Sequence, residues 1–214
     1  MTKVINIIGA KRSGNSHIVR MIESWCPGVH INMHENKRPK ALTSLSGPVV
    51  LITRDLLNWW ASYAKQLINR KGRLSLYPSK GRRSVAWSWY KIAKEFYGVT
   101  DYLKDLPVLK INYDQFCEDQ EYRKELCKQL HGIYNEGVID VVGTNGGGSS
   151  FTGIKLNGYG SKMDTTTRCK QVKDPTQLYR GLFKGIPDLL SFYREYGDLD
   201  KEKTYFLNQM GLLN

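Results

Sequence analysis

Val4-Ile5-Asn6-Ile7-Ile8 followed by Gly9-Ala10-Lys11-Arg12-Ser13-Gly14-Asn15-Ser16 is the stretch that decides the fold. A short apolar run closed by glycine reads as a buried strand, and Ile18, Met21, Ile22 and Trp25 then recur at helical spacing, so strand, loop and helix follow one another. Gly9, Gly14 and Ser16 keep the frame of a phosphate-binding loop, G-x-x-x-x-G-K-[ST]. Asn15 stands where that frame has its lysine, and the cations lie inside the loop at Lys11 and Arg12. Such a loop retains a cradle of backbone N–H groups at a helix N-terminus. It lacks the side chain that reaches the β- and γ-phosphates of ATP. A nucleotide with a different reactive group is implied.

Further along, the same alternation repeats. Val29-His30-Ile31-Asn32-Met33 reads as a short strand, Pro48 to Thr53 as a buried parallel strand, and Pro107 to Asn112 as another. Asp55 is placed to cap a helix whose Leu56, Trp60, Tyr63, Ala64 and Leu67 share a face. Helices are expected over 84–97, 118–130, from Pro175 to about Tyr196, and over 202–210, with basic loop 70–83 between the second and third helices. Strands alternating with helices predict an α/β fold with three layers, α/β/α, around a central parallel sheet. The 214 residues are read as one domain, in which glycine-rich 143–170 forms an irregular loop.

A net charge of +12 calls for an anionic partner without choosing among nucleotides, acidic glycans, nucleic acid and membrane surfaces. Cys26, Cys117, Cys127 and Cys169 form no C-x-x-C pair, which excludes an ordinary zinc module and fits reduced thiols in a cytoplasmic protein. No apolar run reaches the roughly 18 residues of a membrane span, and no signal peptide precedes the first strand.

A second motif closes the strand at Thr53. It reads Arg54-Asp55-Leu56-Leu57-Asn58-Trp59-Trp60-Ala61-Ser62, with Ser62 eight positions after Arg54. Together with Lys11-Arg12-Ser13-Gly14-Asn15-Ser16, it resembles the cytosolic and Golgi sulfotransferases, which use 3′-phosphoadenosine 5′-phosphosulfate. Their K-x-S-G-[TN] or R-S-G-[TN] loop binds the 5′-phosphosulfate and their R-[DN]-x(6)-S stretch binds the 3′-phosphate. Leu109-Lys110-Ile111-Asn112-Tyr113-Asp114 is similar to the family's strand ending in Y-[ED]. The resemblance covers residues 3–115, with a looser match at Gly148-Ser149-Ser150-Phe151 and Arg168-Cys169-Lys170.

What the resemblance implies agrees with the chemistry of the residues. The amides of Gly14, Asn15, Ser16 and His17 can hold a 5′-phosphate at the helix N-terminus. Lys11 can neutralise the oxygen bridging phosphorus and sulfur, and Arg12 and Ser13 complete the loop. Arg54 and Ser62 make a second anion site at the end of the sheet. Tyr113, Ser149, Ser150, Phe151, Arg168 and Lys170 are the further nucleotide contacts implied, those after 143 as a nucleotide-closing loop. Transfer leaves 3′-phosphoadenosine 5′-phosphate and needs a base but no metal. The family takes that base from the strand following the loop, where this chain has His34 and its rival Glu35, with Asn32 in place of the family's lysine. Trp59, Trp87 and Tyr90 beside the basic loop are candidates for a small-molecule or carbohydrate acceptor site. A small P-loop kinase or ATPase is the nearest rival, with Asp114 its one candidate for magnesium. A nucleic-acid-binding role, or a family member without catalysis, is the reading from another class; no nucleic-acid-binding motif is present.

Overall fold

A computed structural model describes residues 3–71, 80–140, 163–172 and 175–213. Four strands form one all-parallel sheet in the order β2-β1-β3-β4: β1 (Val4–Gly9), β2 (His30–Glu35), β3 (Val49–Thr53) and β4 (Val108–Asn112). β1 and β3 occupy the centre, and their apolar runs bury both faces. β2 is an edge strand, which explains why its sequence, His30-Ile31-Asn32-Met33-His34-Glu35, tolerates polar side chains.

The expected three layers are present. Ile5 and Ile7 of β1, with Val50 and Ile52 of β3, pack against Ile18, Met21, Ile22 and Trp25 of α1 (Asn15–Trp25). The same layer holds α4 (Tyr113–Glu118) and α5 (Gln120–Gln129). Ile8, Val49 and Leu51 point the other way, into α2 (Leu56–Lys71) and α3 (Lys80–Phe96). There α6 (Pro175–Gly185), α7 (Leu189–Tyr196) and α8 (Lys201–Gln209) complete the cover.

Three element boundaries differ from the sequence reading, each for a local reason. The helix expected over 118–130 starts five residues earlier and breaks at Asp119, whose carboxylate caps α5 by accepting from the Tyr122 amide. The helical pattern after Pro175 breaks at Ile186-Pro187-Asp188, where proline cannot donate to a continuing helix. Loop 70–83 is shorter than its composition implied, since α2 runs to Lys71 and α3 begins at Lys80; residues 72–79 lie outside those described. Among the described residues, no helix is long and apolar enough to cross a membrane.

The strand order fixes where ligands can dock. From β1 the chain goes outward to β2 and then returns to the opposite side as β3. In open α/β sheets the crevice beyond the strand C-termini at such a reversal is the usual binding place. Gly9 ends β1 and Thr53 ends β3, so the glycine loop and Arg54 both emerge at this crevice.

Candidate functional site

The loop between β1 and α1 is pinned at several points. Lys11 N donates to Asn36 Oδ1 at 2.8 Å, Asn36 N to the Gly9 carbonyl at 3.0 Å, and the Trp59 indole to the Lys11 carbonyl at 2.8 Å. Asn15 turns its carboxamide back into the loop, where Nδ2 donates to the Ala10 carbonyl at 3.1 Å. A Cβ on Gly9 would fall 2.1 Å from Asn15 Oδ1, so that glycine is required by the side chain standing in the lysine position. Gly14 has φ +89° and opens α1 as its N-cap, with no side chain capping the helix. The first-turn amides of Gly14, Asn15 and Ser16 have no acceptor within the described residues, so α1 presents aligned donors and its positive dipole end to the crevice. His17 differs from expectation: its amide is spent on the Gly14 carbonyl at 2.9 Å.

Tyr113 closes the floor. Its ring lies against Gly14, where an added Cβ would approach it to 2.1 Å, and its hydroxyl sits 3.3 Å from His17 Nδ1. Arg54 lies over the same ring with its Cζ 5.2 Å from the centroid. The Arg54 guanidinium, 2% exposed, is held on three sides: Nε to Asp114 Oδ1 at 3.3 Å, Nη1 to the Arg12 carbonyl at 3.3 Å, and Nη2 to the Thr165 carbonyl. The other Asp114 oxygen accepts from the Asp55 amide at 2.6 Å. Asp114 therefore clamps the ends of β3 and β4 together and orients Arg54. Asp55 caps α2 as read from the sequence, accepting from the Asn58 amide at 2.9 Å.

Ser62 is the meeting point of the late and early cations. Its Oγ accepts from Arg12 Nε at 3.4 Å and from Arg168 Nη1 at 3.1 Å. Arg168 belongs to a 3₁₀ turn over Arg168–Gln171, fastened to α2 by Asn58. That side chain donates to the Thr166 carbonyl and accepts from the Cys169 amide. Burial, followed by the neighbouring Arg54 and Arg12 charges, pulls the Arg168 pKa down to about 10. Two guanidinium groups bonded to one hydroxyl are roughly 6 Å apart, and their repulsion is on the order of 2–3 kcal/mol at an effective dielectric of about 20. An anion placed among Arg12, Arg54 and Arg168 would remove that penalty.

Unsatisfied polar atoms gather at the same place. Ser13 Oγ, Asn15 Oδ1, His17 Nε2 and Thr53 Oγ1 are buried without a partner, all within the loop, its helix or the end of β3. Buried groups of this kind normally find partners, so their concentration marks a site built around something else. Beside them is a cavity of about 290 Å³ bounded by His17, Tyr113, Cys117, Ile139 and Thr165. Burial, then the Arg20 and Arg123 charges, lowers the His17 pKa to about 4, so this imidazole is neutral at physiological pH.

His34 and Glu35 end β2 in register with Ile8 and Gly9, next to the loop. Glu35 Oε1 accepts from Asn15 Nδ2 at 3.4 Å. His34 Nε2 bonds Asn6 Oδ1 at 3.2 Å, while Asn6 Nδ2 donates to the Ser46 carbonyl at 2.8 Å. That chain assigns the proton to His34 Nε2 and leaves Nδ1 as a basic lone pair. Lys11 is half-buried, and its ammonium has no partner among the described residues.

The structure thus brings together Lys11, Arg12, Ser13, Gly14, Asn15, Ser16, His17, Arg54, Ser62, Tyr113 and Arg168, with His34 and Glu35 on the neighbouring strand. Lys170 is not part of the cluster, being ion-paired with Glu202 of α8. Ser149, Ser150 and Phe151 lie outside the described residues. The aromatic acceptor surface is not formed as expected. Trp59 is fully buried, stacked on Tyr63 and Trp89, and Tyr90 packs edge-on against Phe192 because α7 covers that side of α3 too. Asn6, Asn36, Asn58 and Asp114 act here as positioning residues.

No protein-family model, no curated protein and no solved structure matches this chain.

Proposed function

We propose that the protein is a sulfotransferase that moves a sulfuryl group from 3′-phosphoadenosine 5′-phosphosulfate to a hydroxyl or amine. The observation carrying this reading is the pairing of two separate anion-ready sites at one crevice. One is the uncapped N-terminus of α1, and the other is the Arg12, Arg54, Arg168 and Ser62 cluster. A nucleotide phosphorylated at both ends of its ribose uses both sites, whereas ATP uses one. Two further observations support the reading: orphaned polar atoms gather in the loop and at the end of β3, and a cavity of about 290 Å³ opens beside His17 and Tyr113.

In this reading the Gly14, Asn15 and Ser16 amides hold the 5′-phosphate and the arginine cluster holds the 3′-phosphate. Bound there, the donor supplies an electrophilic sulfur and a phosphate leaving group. Lys11 neutralises the charge that grows on the bridging oxygen as the S–O bond breaks. His34 Nδ1 or the Glu35 carboxylate takes the proton of the acceptor. Asn15 bears against an ATPase, because the position of the lysine in the G-x-x-x-x-G-K-[ST] frame carries a carboxamide that folds back onto the Ala10 carbonyl. Asp114, the one candidate for magnesium in that alternative, already serves Arg54 and the Asp55 amide. The acceptor is read as a small molecule or carbohydrate, with nucleic acid outside the reading, and the four free thiols accord with a cytoplasmic setting. The test is turnover of labelled donor against a panel of hydroxyl and amine acceptors, with Lys11→Ala, His34→Ala and Glu35→Ala made singly. Loss of transfer in Lys11→Ala and in one of the other two supports the proposal; donor turnover unchanged in all three refutes it.

A further inference from the structure

Past the end of β2 the chain carries a second basic surface, separate from the arginine cluster. It reads Asn36-Lys37-Arg38-Pro39-Lys40-Ala41, directly after the candidate bases His34 and Glu35. Lys37, Arg38 and Lys40 are exposed, and none of their side chains has an ion-pair or hydrogen-bond partner among the described residues. From Asn36 to Arg54 the chain contains no aspartate or glutamate. On α5, by contrast, Lys124 and Lys128 pair with Glu121 and Glu125 one turn away. Lys11, whose ammonium is likewise without a partner, adds a fourth cation beside the end of β2.

This surface is held in place at both ends. Asn36, at φ +60°, accepts from the Lys11 amide and donates its own to the Gly9 carbonyl, which ties the start of the segment to the glycine loop. Lys37 N donates to the His34 carbonyl at 3.3 Å, so the first cation stands within one turn of the candidate base. Pro39 then opens a 3₁₀ turn over Pro39–Leu42, with the Ala41 amide on the Arg38 carbonyl at 2.9 Å. Pro39 and Leu42 are buried, and Leu42 joins the core beneath α2 and α3. A backbone fixed in this way avoids much of the ordering cost that a flexible basic tail meets on binding.

We infer that this surface receives the acceptor, and that the acceptor is an acidic saccharide, with negative charge of its own beside the hydroxyl or amine that reacts. The unpaired cations draw such a molecule toward His34 and Glu35 and offset the repulsion it meets from the Glu35 carboxylate. An acidic peptide fits less well, because peptides are recognised through pockets and grooves for their side chains. Here the apolar Pro39 and Leu42 are buried, and the exposed neighbours Thr43, Ser44 and Ser46 offer hydroxyls instead. Calling the ligand an acceptor rests on the sulfotransferase reading; the preference of the surface for acidic saccharides does not.

Calorimetric titration of the full chain tests it with hyaluronan hexasaccharide, which has a carboxylate on every second sugar, and with chitohexaose, neutral and of the same length. An alternating Glu-Gly hexapeptide is the third probe. The hyaluronan fragment should bind at least about tenfold more tightly than chitohexaose, and more tightly than the peptide. Its preference over chitohexaose should fall to about threefold or less when Lys37→Gln, Arg38→Gln and Lys40→Gln are combined. It should persist when Lys104→Gln, Lys184→Gln and Lys201→Gln are combined, which removes the same charge from exposed positions elsewhere. Equal binding of the two saccharides, no binding by either, tighter binding of the peptide, or a preference that the two triple variants leave equal overturns the inference. Adenosine 3′,5′-bisphosphate is titrated separately. Nucleotide binding without a saccharide preference overturns this inference alone, whereas a saccharide preference without nucleotide binding overturns the sulfotransferase reading and leaves the surface standing.

Discussion

Arg168 Nη1 donates to Ser62 Oγ at 3.1 Å across 106 positions of sequence, bringing a cation from the C-terminal third of the chain onto a motif that begins at Arg54. The contact gathers like charges in a partly buried place, where the proposed function puts an anionic phosphate. Replacing Arg168 by methionine should therefore separate stability from binding. The free protein should change little in stability, as relief of the repulsion is offset by the lost bonds to the Ser62 hydroxyl and the Asp164 carbonyl. The melting shift produced by adenosine 3′,5′-bisphosphate should largely vanish. Urea unfolding and melting curves with and without that compound check both halves.

Gly14 and Gly28 make a matched pair. Both have positive φ, +89° and +81°, but a Cβ at Gly14 meets the Tyr113 ring whereas one at Gly28 meets nothing within 4 Å. Gly28→Ala should cost about 1 kcal/mol for the left-handed backbone alone. Gly14→Ala should cost about 3 kcal/mol, adding overpacking to the same strain, and should also weaken nucleotide binding. Chemical denaturation of the two variants decides, and equal costs would mean that Tyr113 does not press on the loop.

The pH dependence of stability should carry two opposing contributions. The His17 pKa is lowered to about 4, so the unfolded chain binds that proton more readily between about 4 and 6.5, and stability from this group is lost as pH falls through the window. Burial lifts the Asp114 carboxyl to about 6, partly offset by Arg54, so between about 3.8 and 6 the folded state holds the extra proton and stability falls as pH rises. Stability–pH curves for His17→Gln should lose the acid-side decline, and those for Asp114→Asn the opposite one. An NMR titration finding His17 charged at pH 6 would contradict the first.

Asn6 sets the tautomer of His34. Asn6→Leu removes the acceptor facing Nε2 and should shift the pH profile of transfer if His34 is the base, with folding otherwise maintained by an apolar side chain in a buried strand. If Glu35 is the base, the profile should stay in place.

Much of this was legible in the sequence because its signals are local. The apolar runs at β1 and β3, the spacing of Gly9 and Gly14, and the Asp55 cap each depend on neighbours within a few residues. The edge strand β2 was readable despite its polarity. What escaped were contacts between distant segments. Nothing near Trp59 in sequence foretells that Lys11 will accept from its indole, so an aromatic that looked available for an acceptor is core. Tyr90 reads as available for an acceptor because sequence shows one helix at a time, whereas α7 arrives from a hundred residues later to cover it. Lys170 and Arg168 are two positions apart, yet only Arg168 faces Ser62, because the 3₁₀ turn points the lysine toward Glu202. Asn58 and Asn36 gave no sequence signal, since an asparagine that fastens a loop looks like any other.

The most direct measurement is binding of adenosine 3′,5′-bisphosphate in the presence of a magnesium chelator, followed by heat unfolding and calorimetry. The account predicts a magnesium-independent rise in melting temperature, lost in either Arg54→Ala or Gly14→Ala and much smaller for adenosine 5′-phosphate. Absence of binding, or stabilisation by ATP that requires magnesium, would contradict it.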